Sequence, residues 1–404
     1  MKKLILVLSL FLAFGLMNIF SAEFGVILNG QFDAERLPGE TSTDEATIKG
    51  SLTLAPWFSL PLGGADFHVS LGLKGEFADK SNAIPELYRF EYSDRPIESL
   101  ALRFGRFGWQ DTSGFTAKGR FDGVDIIYSQ GKARIGAAVL YTGFLYRDTA
   151  DINVSPKDDP KKYTAAFKWT DFADTYAAPP RLLASLYGEF PGLPPDRGHL
   201  YAGLLAQFDL SDASEAFHTQ YLLLRHTLAY KRLDLNIAGA LELENTDAKG
   251  VAAAFAASLE AGLLLPGQMR NRLALAANWA SGEGPKAAAY FPIIKEAQGL
   301  AFKPYFSGMM TLGALYEVRL HSSLSLDAGM RYFIRTDSST YTDPDLTPDS
   351  YAIGAEFHGG LLWVPLSDLS CFLTGGVFLP KTGGAMVSSA PARWALSLGT
   401  TLSF

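Results

Sequence analysis

The sequence predicts an all-β fold, a transmembrane antiparallel up-and-down β-barrel of about 18 strands, with about 16 as the other count the pattern allows. Three observations predict it. Apolar and polar residues alternate with period two almost from end to end. The alternating segments run about 10–13 residues, long enough for a tilted strand to cross hydrocarbon, whereas soluble strands average about 5–6. Finally, Trp394, Leu396, Leu398, Thr400, Leu402 and Phe404 share one face of a last segment that stops on the aromatic Phe404.

The elements follow in chain order. Lys2 and Lys3 precede an apolar run, 4–20, and the small pair Ser21 and Ala22. That order is a secretory signal peptide, so residues 1–22 are expected to be a leader and 23–404 the barrel. The rest of the chain is rich in apolar residues, 48% over the whole sequence with 13% aromatic, at a mean hydropathy of +0.08. Yet no later stretch reaches the ~20 apolar residues of a membrane helix. Apolar side chains are therefore spread over alternate positions. In 67–77, Phe67, Val69, Leu71, Leu73 and Phe77 oppose His68, Ser70, Gly72, Lys74 and Glu76. In 324–335, Leu324, Leu326, Ala328, Met330, Tyr332 and Ile334 oppose Ser325, Asp327, Gly329, Arg331, Phe333 and Arg335. Successive strand side chains point to opposite faces, which gives each strand one greasy and one hydrophilic side.

Candidate strands lie at 22–33, 46–60, 64–77, 84–93, 97–107, 121–129, 132–147, 181–190, 199–209, 217–230, 232–246, 251–265, 270–281, 306–319, 322–336, 350–364, 368–380 and 392–404. An even number returns both ends of the barrel to the periplasmic side. Short connections then fall on that side, and the long polar ones, 34–45, 108–120, 148–180, 282–305, 337–349 and 381–391, fall outside. The segment 161–172 is placed in an external loop, because a strand there would make the count odd. The Ala-rich stretch 251–261 has helical propensity, but the parity scheme needs a strand. Trp57, Tyr141, Trp279, Trp363 and Trp394 sit near segment ends, as interfacial girdles do. Trp394 and Phe404 are the expected signal to the barrel-assembly machinery.

The formal net charge of -7 argues against a general nucleic-acid partner. One cysteine, Cys371, excludes an internal disulfide and a thiolate metal cluster. None of His68, His199, His218, His226, His321 and His358 stands in a metal or triad motif. The acidic run 343–349 lacks the glycine and terminal glutamate of a calcium loop. No enzyme, metal or cofactor is expected. Charges on the hydrophilic side instead point to a lumen: Lys74, Glu76, Arg103, Asp125, Arg272, Glu317, Arg319, Asp327, Arg331, Arg335 and Glu356. A midplane Arg or Lys facing lipid costs about 2–4 kcal/mol. Facing water, such groups bias the field along a pore, or they pair across strands and hold the wall, as Glu317/Arg319 with Asp327/Arg331/Arg335 could across a short turn.

Two segments carry a family resemblance. Leu102-Arg103-Phe104-Gly105-Arg106, then Asp111-Thr112-Ser113-Gly114, then Arg120-Phe121-Asp122-Gly123-Val124-Asp125 resembles the Gly-Arg strand, inward loop and Phe-Asp-Gly strand of alginate-export and substrate-specific porin barrels. Trp279-Ala280-Ser281-Gly282-Glu283-Gly284 with Tyr290-Phe291-Pro292 is similar to a loop of the same group, with Glu283 where Asp is usual. The resemblance implies a monomeric 18-stranded pore, loop 108–120 folded inward, and Arg103 and Arg106 selecting an anionic solute. The expected function is a passive outer-membrane channel for small hydrophilic solutes, with an anion bias, in contact with outer-membrane lipid. A closed barrel serving as adhesin or structural anchor is the alternative from another class.

Overall fold

A computed structural model describes residues 22–404 except 37–45, 78–81, 156–157, 159–161, 164–165, 193–196, 212–216, 247–249, 268, 286 and 349. The expected leader lies outside the described residues apart from Ala22, as does most of the loop 34–45.

The strands are β1 Glu23–Glu35, β2 Thr47–Leu62, β3 Ala65–Phe77, β4 Asn82–Ile97, β5 Leu100–Gln110 and β6 Lys118–Gln130. They continue as β7 Ala133–Tyr141, β8 Arg181–Pro191, β9 Gly198–Asp209, β10 His218–Tyr230, β11 Leu233–Thr246 and β12 Gly250–Leu264. The last six are β13 Arg270–Ala280, β14 Met309–His321, β15 Leu324–Arg335, β16 Ala352–Leu366, β17 Leu369–Leu379 and β18 Arg393–Ser403. Each pairs antiparallel with its chain neighbours, and β1 pairs with β18 from Ile27 opposite Ser403 to Glu35 opposite Ala395. Phe404 completes the closure, its N–H donating to the Val26 carbonyl at 2.9 Å. Pairing of β1 with β18 leaves neither terminal strand with a free edge, the condition for a strand-built span.

The ordinary alternation sets the two faces. Leu71, Leu73, Leu275, Met330 and Leu398 point outward and are exposed on the isolated barrel; the residues between them point in. β12 is a strand despite its alanines, because ladders on both sides, to β11 and β13, decide the backbone. No strand forms among the described residues of 161–172, which instead hold a short 3-10 turn at Trp169–Asp171 leading into a short helix. That helix, Phe172–Tyr176, and α1, Arg147–Ala150, belong to the long β7–β8 connection.

One girdle residue is corrected. Trp57 lies on the inward side of β2, stacked on His68 with ring centroids 6.0 Å apart. Its place near a strand end was right for a girdle, but its parity was not. Trp279 and Trp363 do face outward and are exposed.

Inside the barrel the lumen is partly filled. One apolar cluster joins Phe107, Phe121, Leu183, Tyr221 and Leu223 of the wall to Tyr290, Ile293 and Phe306 of the β13–β14 connection. A second gathers Phe302, Met309, Phe333, Ile353 and Phe378. Phe333 shows why: it stands on the hydrophilic side of β15, yet it is fully buried because a loop descends onto it.

Candidate functional site

Two inward connections shape the lumen. Between β5 and β6, the loop 111–117 is organised by Asp111. One carboxylate oxygen accepts the N–H groups of Ser113 (2.6 Å) and Gly114 (3.1 Å) and the Ser113 hydroxyl (2.5 Å). The other accepts the N–H groups of Thr116 (3.0 Å) and Ala117 (2.6 Å). Burial pushes the Asp111 carboxyl above its ordinary range, and the N–H donors offset part of that rise. Thr116 shares a 2.7 Å hydrogen bond with the Tyr290 hydroxyl, and its carbonyl accepts the Ile293 N–H at 2.8 Å. The two connections therefore brace each other inside the barrel.

The β13–β14 connection, 281–308, is tied down at two further points. The Glu242 carboxylate accepts the Phe291 N–H (2.8 Å), and the Tyr221 hydroxyl donates to the Phe291 carbonyl (2.7 Å). Farther along, Glu356 accepts three successive N–H groups, from Leu300 (2.8 Å), Ala301 (2.9 Å) and Phe302 (2.8 Å). A buried carboxylate facing three amides is satisfied without a cation. Lys295, in the same connection, has its ammonium pKa pulled down by burial.

Between these connections and the wall lies a lumen cavity of about 210 Å³, lined by Phe115, Ser258, Asn278, Glu296, Ala297, Gln298, Phe306 and Arg331. Lys118 reaches Glu296 at 3.5 Å. The Arg331 side chain makes no hydrogen bond or ion pair among the described residues, and it lines the cavity.

The other charges expected in the lumen mostly hold the wall. Lys74 and Glu76 pair at 2.7 Å on β3. Arg103 binds Asp125 at 2.5 Å, and Asp125, wholly buried, also accepts the Tyr187 hydroxyl at 2.7 Å. Arg272 draws three strands together, with Asp234 at 2.5 Å, Glu317 at 3.0 Å and Glu260 as a third partner. Arg335 donates to the carbonyls of Ser350 and Thr347, and Arg319 to that of Ser322. Glu317 stands directly opposite Asp327, like against like, and takes its cation from β13 instead. No ion pair joins Glu317/Arg319 to Asp327/Arg331/Arg335 among the described residues, so the pairing weighed across that turn does not form.

Arg106 is the clear correction. Its β5 register sets it opposite Phe90 and beside Phe104, both outward and exposed, so it does not line the lumen. It is buried instead in a pair with Asp122, two bonds of 2.7 Å, and donates to the carbonyls of Leu87 (2.9 Å) and Phe144 (3.0 Å). The acidic run 343–349 is also less free than its composition suggests. Arg393 binds Asp343 through two 2.7 Å bonds and Asp345 at 2.8 Å; Asp349 lies outside the described residues. Among the described residues, no group of three or more His, Cys, Asp or Glu could hold a metal ion.

Sequence reasoning missed Glu242, Ser258, Asn278 and Glu296. Glu242 was visible as an inward charge on β11, but neither its loop partner nor the cavity had a one-dimensional signal. Tyr290 and Asp111 lay within the quoted motifs without an assigned role.

No family model matches the chain, and no curated protein matches it. Among solved structures, the barrel is similar to three proteins of Pseudomonas aeruginosa. OccK2 (OpdF), solved in complex with glucuronate, superposes with a TM-score of 0.60 at 12% identity, covering 95% of this chain and 98% of that one. OccK9 (OpdG) gives 0.60 at 12% identity, covering 95% and 99%. The outer membrane protein OpdK gives 0.57 at 12% identity, covering 95% and 99%. At these identities the likeness establishes the fold alone, over nearly the whole length of each protein.

Proposed function

We propose that the chain is a non-enzymatic outer-membrane channel for passive diffusion of small hydrophilic solutes, biased toward anions by Arg331. The observation that carries the reading is the guanidinium of Arg331, without a side-chain partner among the described residues, in a lumen cavity whose other charged lining residue, Glu296, is held at 3.5 Å by Lys118 from outside the lining. Glu356, opposite Arg331 in the β15–β16 register, is taken up by the amides of Leu300, Ala301 and Phe302, which leaves the guanidinium to concentrate anions and repel cations. A planar guanidinium also matches a carboxylate in two-point contact. The OccK2 structure with glucuronate, a carboxylated sugar, supports the solute class by analogy. The alternating exterior supports lipid as the surrounding medium, and the terminal strand with Trp394 and Phe404 supports delivery by the barrel-assembly machinery.

The two apolar clusters that fill part of the lumen favour the second reading, a closed barrel acting through its external loops. Planar-bilayer recording separates the two. The channel reading expects conductance, a reversal potential displaced toward chloride in a KCl gradient, and displacement toward potassium in Arg331→Glu. A folded, inserted barrel without ion flux overturns it and leaves the closed-barrel reading.

A further inference from the structure

Among the described residues, the ladder between β4 and β5 is incomplete. The β4–β5 ladder runs from Ile97 opposite Leu100 only as far as Phe90 opposite Arg106, although β4 continues to Asn82 and β5 to Gln110. Above that point the β5–β6 hairpin bends into the lumen. Arg120, on the outward side of the hairpin, pairs at 2.9 Å with Glu86 on the inward side of β4, so the hairpin passes behind β4. Two carbonyls of the opened edge of β4 accept from side chains. Trp169 donates its indole N–H to the Ala83 carbonyl at 3.0 Å, and Arg106 donates to that of Leu87. Aromatic residues of the β7–β8 connection, Tyr146, Phe167 and Tyr176, close the breach against the buried Ile84.

We propose that the groove on the outer side of this seam takes the hydrocarbon chain of a single-chain amphiphile from the surrounding lipid. The groove measures about 500 Å³, the scale of a pocket for one small ligand. Its walls are the outward Leu54, Leu71, Leu73 and Leu87, with Phe144 and Phe172 from the β7–β8 connection. Those leucines belong to the lipid-facing belt, so the groove opens directly to hydrocarbon. Its polar members, Glu86 and Arg106, lie at the inner end and are already paired with Arg120 and Asp122. A chain entering from the membrane therefore meets only apolar surface until it reaches the seam.

The inference rests on the membrane reading above but not on ion flux through the lumen. The full chain, reconstituted in phosphatidylcholine nanodiscs, is photolabelled with a diazirine-bearing palmitate, and the labelled peptides are mapped by mass spectrometry. Saturable labelling is expected on β4 and around Phe144 and Phe172, competed by unlabelled palmitate. Leu87→Trp fills the groove and is expected to lower that labelling about fivefold, a change near 1 kcal/mol; Leu275→Trp, elsewhere on the lipid face, leaves it unchanged. Phe172→Trp serves if Leu87→Trp does not fold, folding being read from heat-modifiable gel mobility. Label spread evenly over the lipid face without saturation means annular lipid only and overturns the proposal. So does a dimer whose interface covers the groove. Absence of label at Leu275 as well as at the seam shows that the barrel is not in lipid, a failure of the membrane reading itself.

Discussion

Gly105 stands directly opposite Gly123 where the β5–β6 hairpin leaves the wall. Gly105 has φ +109°, and a Cβ there would overlap the Phe90 carbonyl oxygen; a Cβ on Gly123 would overlap that of Val139. The bend needs both strands to come close to their outer neighbours, and only glycine allows it.

Gly105→Ala is accordingly expected to cost about 1–3 kcal/mol, the usual penalty of a residue forced into a rare backbone region. Gly108→Ala, whose Cβ would meet nothing nearer than 4.0 Å, is the matched control. Urea unfolding of the barrel in detergent, followed by tryptophan fluorescence, measures both.

Replacing Glu356 with Ala leaves the N–H groups of Leu300, Ala301 and Phe302 without their acceptor. Loss of even one such charge-assisted bond costs about 1.5–3 kcal/mol. The segment that carries them borders the cavity, so the barrel should remain folded while its conductance becomes larger and noisier. Single-channel recording tests this, and an unchanged trace would mean the segment does not control the lumen.

Arg393→Met removes the cation shared by Asp343 and Asp345, all within a nearly closed environment. Stranding one side of a buried pair costs about 3–5 kcal/mol. The external 336–351 connection should become protease-sensitive, and the double change Arg393→Met with Asp343→Asn should recover part of the loss.

The Asp111 carboxyl sets a pH dependence. Its folded pKa lies above its unfolded value, so the folded chain takes up this proton first. Acidification through the folded pKa toward the ordinary range near 4 thus favours the folded loop, and the contribution is lost as pH rises. Asp111→Asn should remove that component, seen as a smaller rise of the unfolding midpoint on going from neutral to mildly acid pH. A variant whose midpoint follows the parent at every pH would contradict it.

The number of strands, their antiparallel order and the side to which most residues point were legible in the sequence. Each depends on short-range rules: period two, strand length and the parity of connections. What those rules could not supply is visible in particular residues. Arg106 lies three positions from Arg103 in the same strand, so strict alternation already opposes their directions; only the bent hairpin shows where the outward one is buried. Phe333 and Glu242 sit on hydrophilic faces but are used to dock a loop.

By itself, then, the sequence determined the barrel, because a backbone in lipid must satisfy its own hydrogen bonds and alternation leaves one arrangement that does so. The tertiary structure decided which inward charges are spent on the wall, which one faces the cavity, and where the wall is closed by side chains instead of a ladder. Those outcomes depend on contacts between segments far apart in the chain, such as Thr116 with Tyr290 and Trp169 with Ala83, and no local pattern encodes such distances.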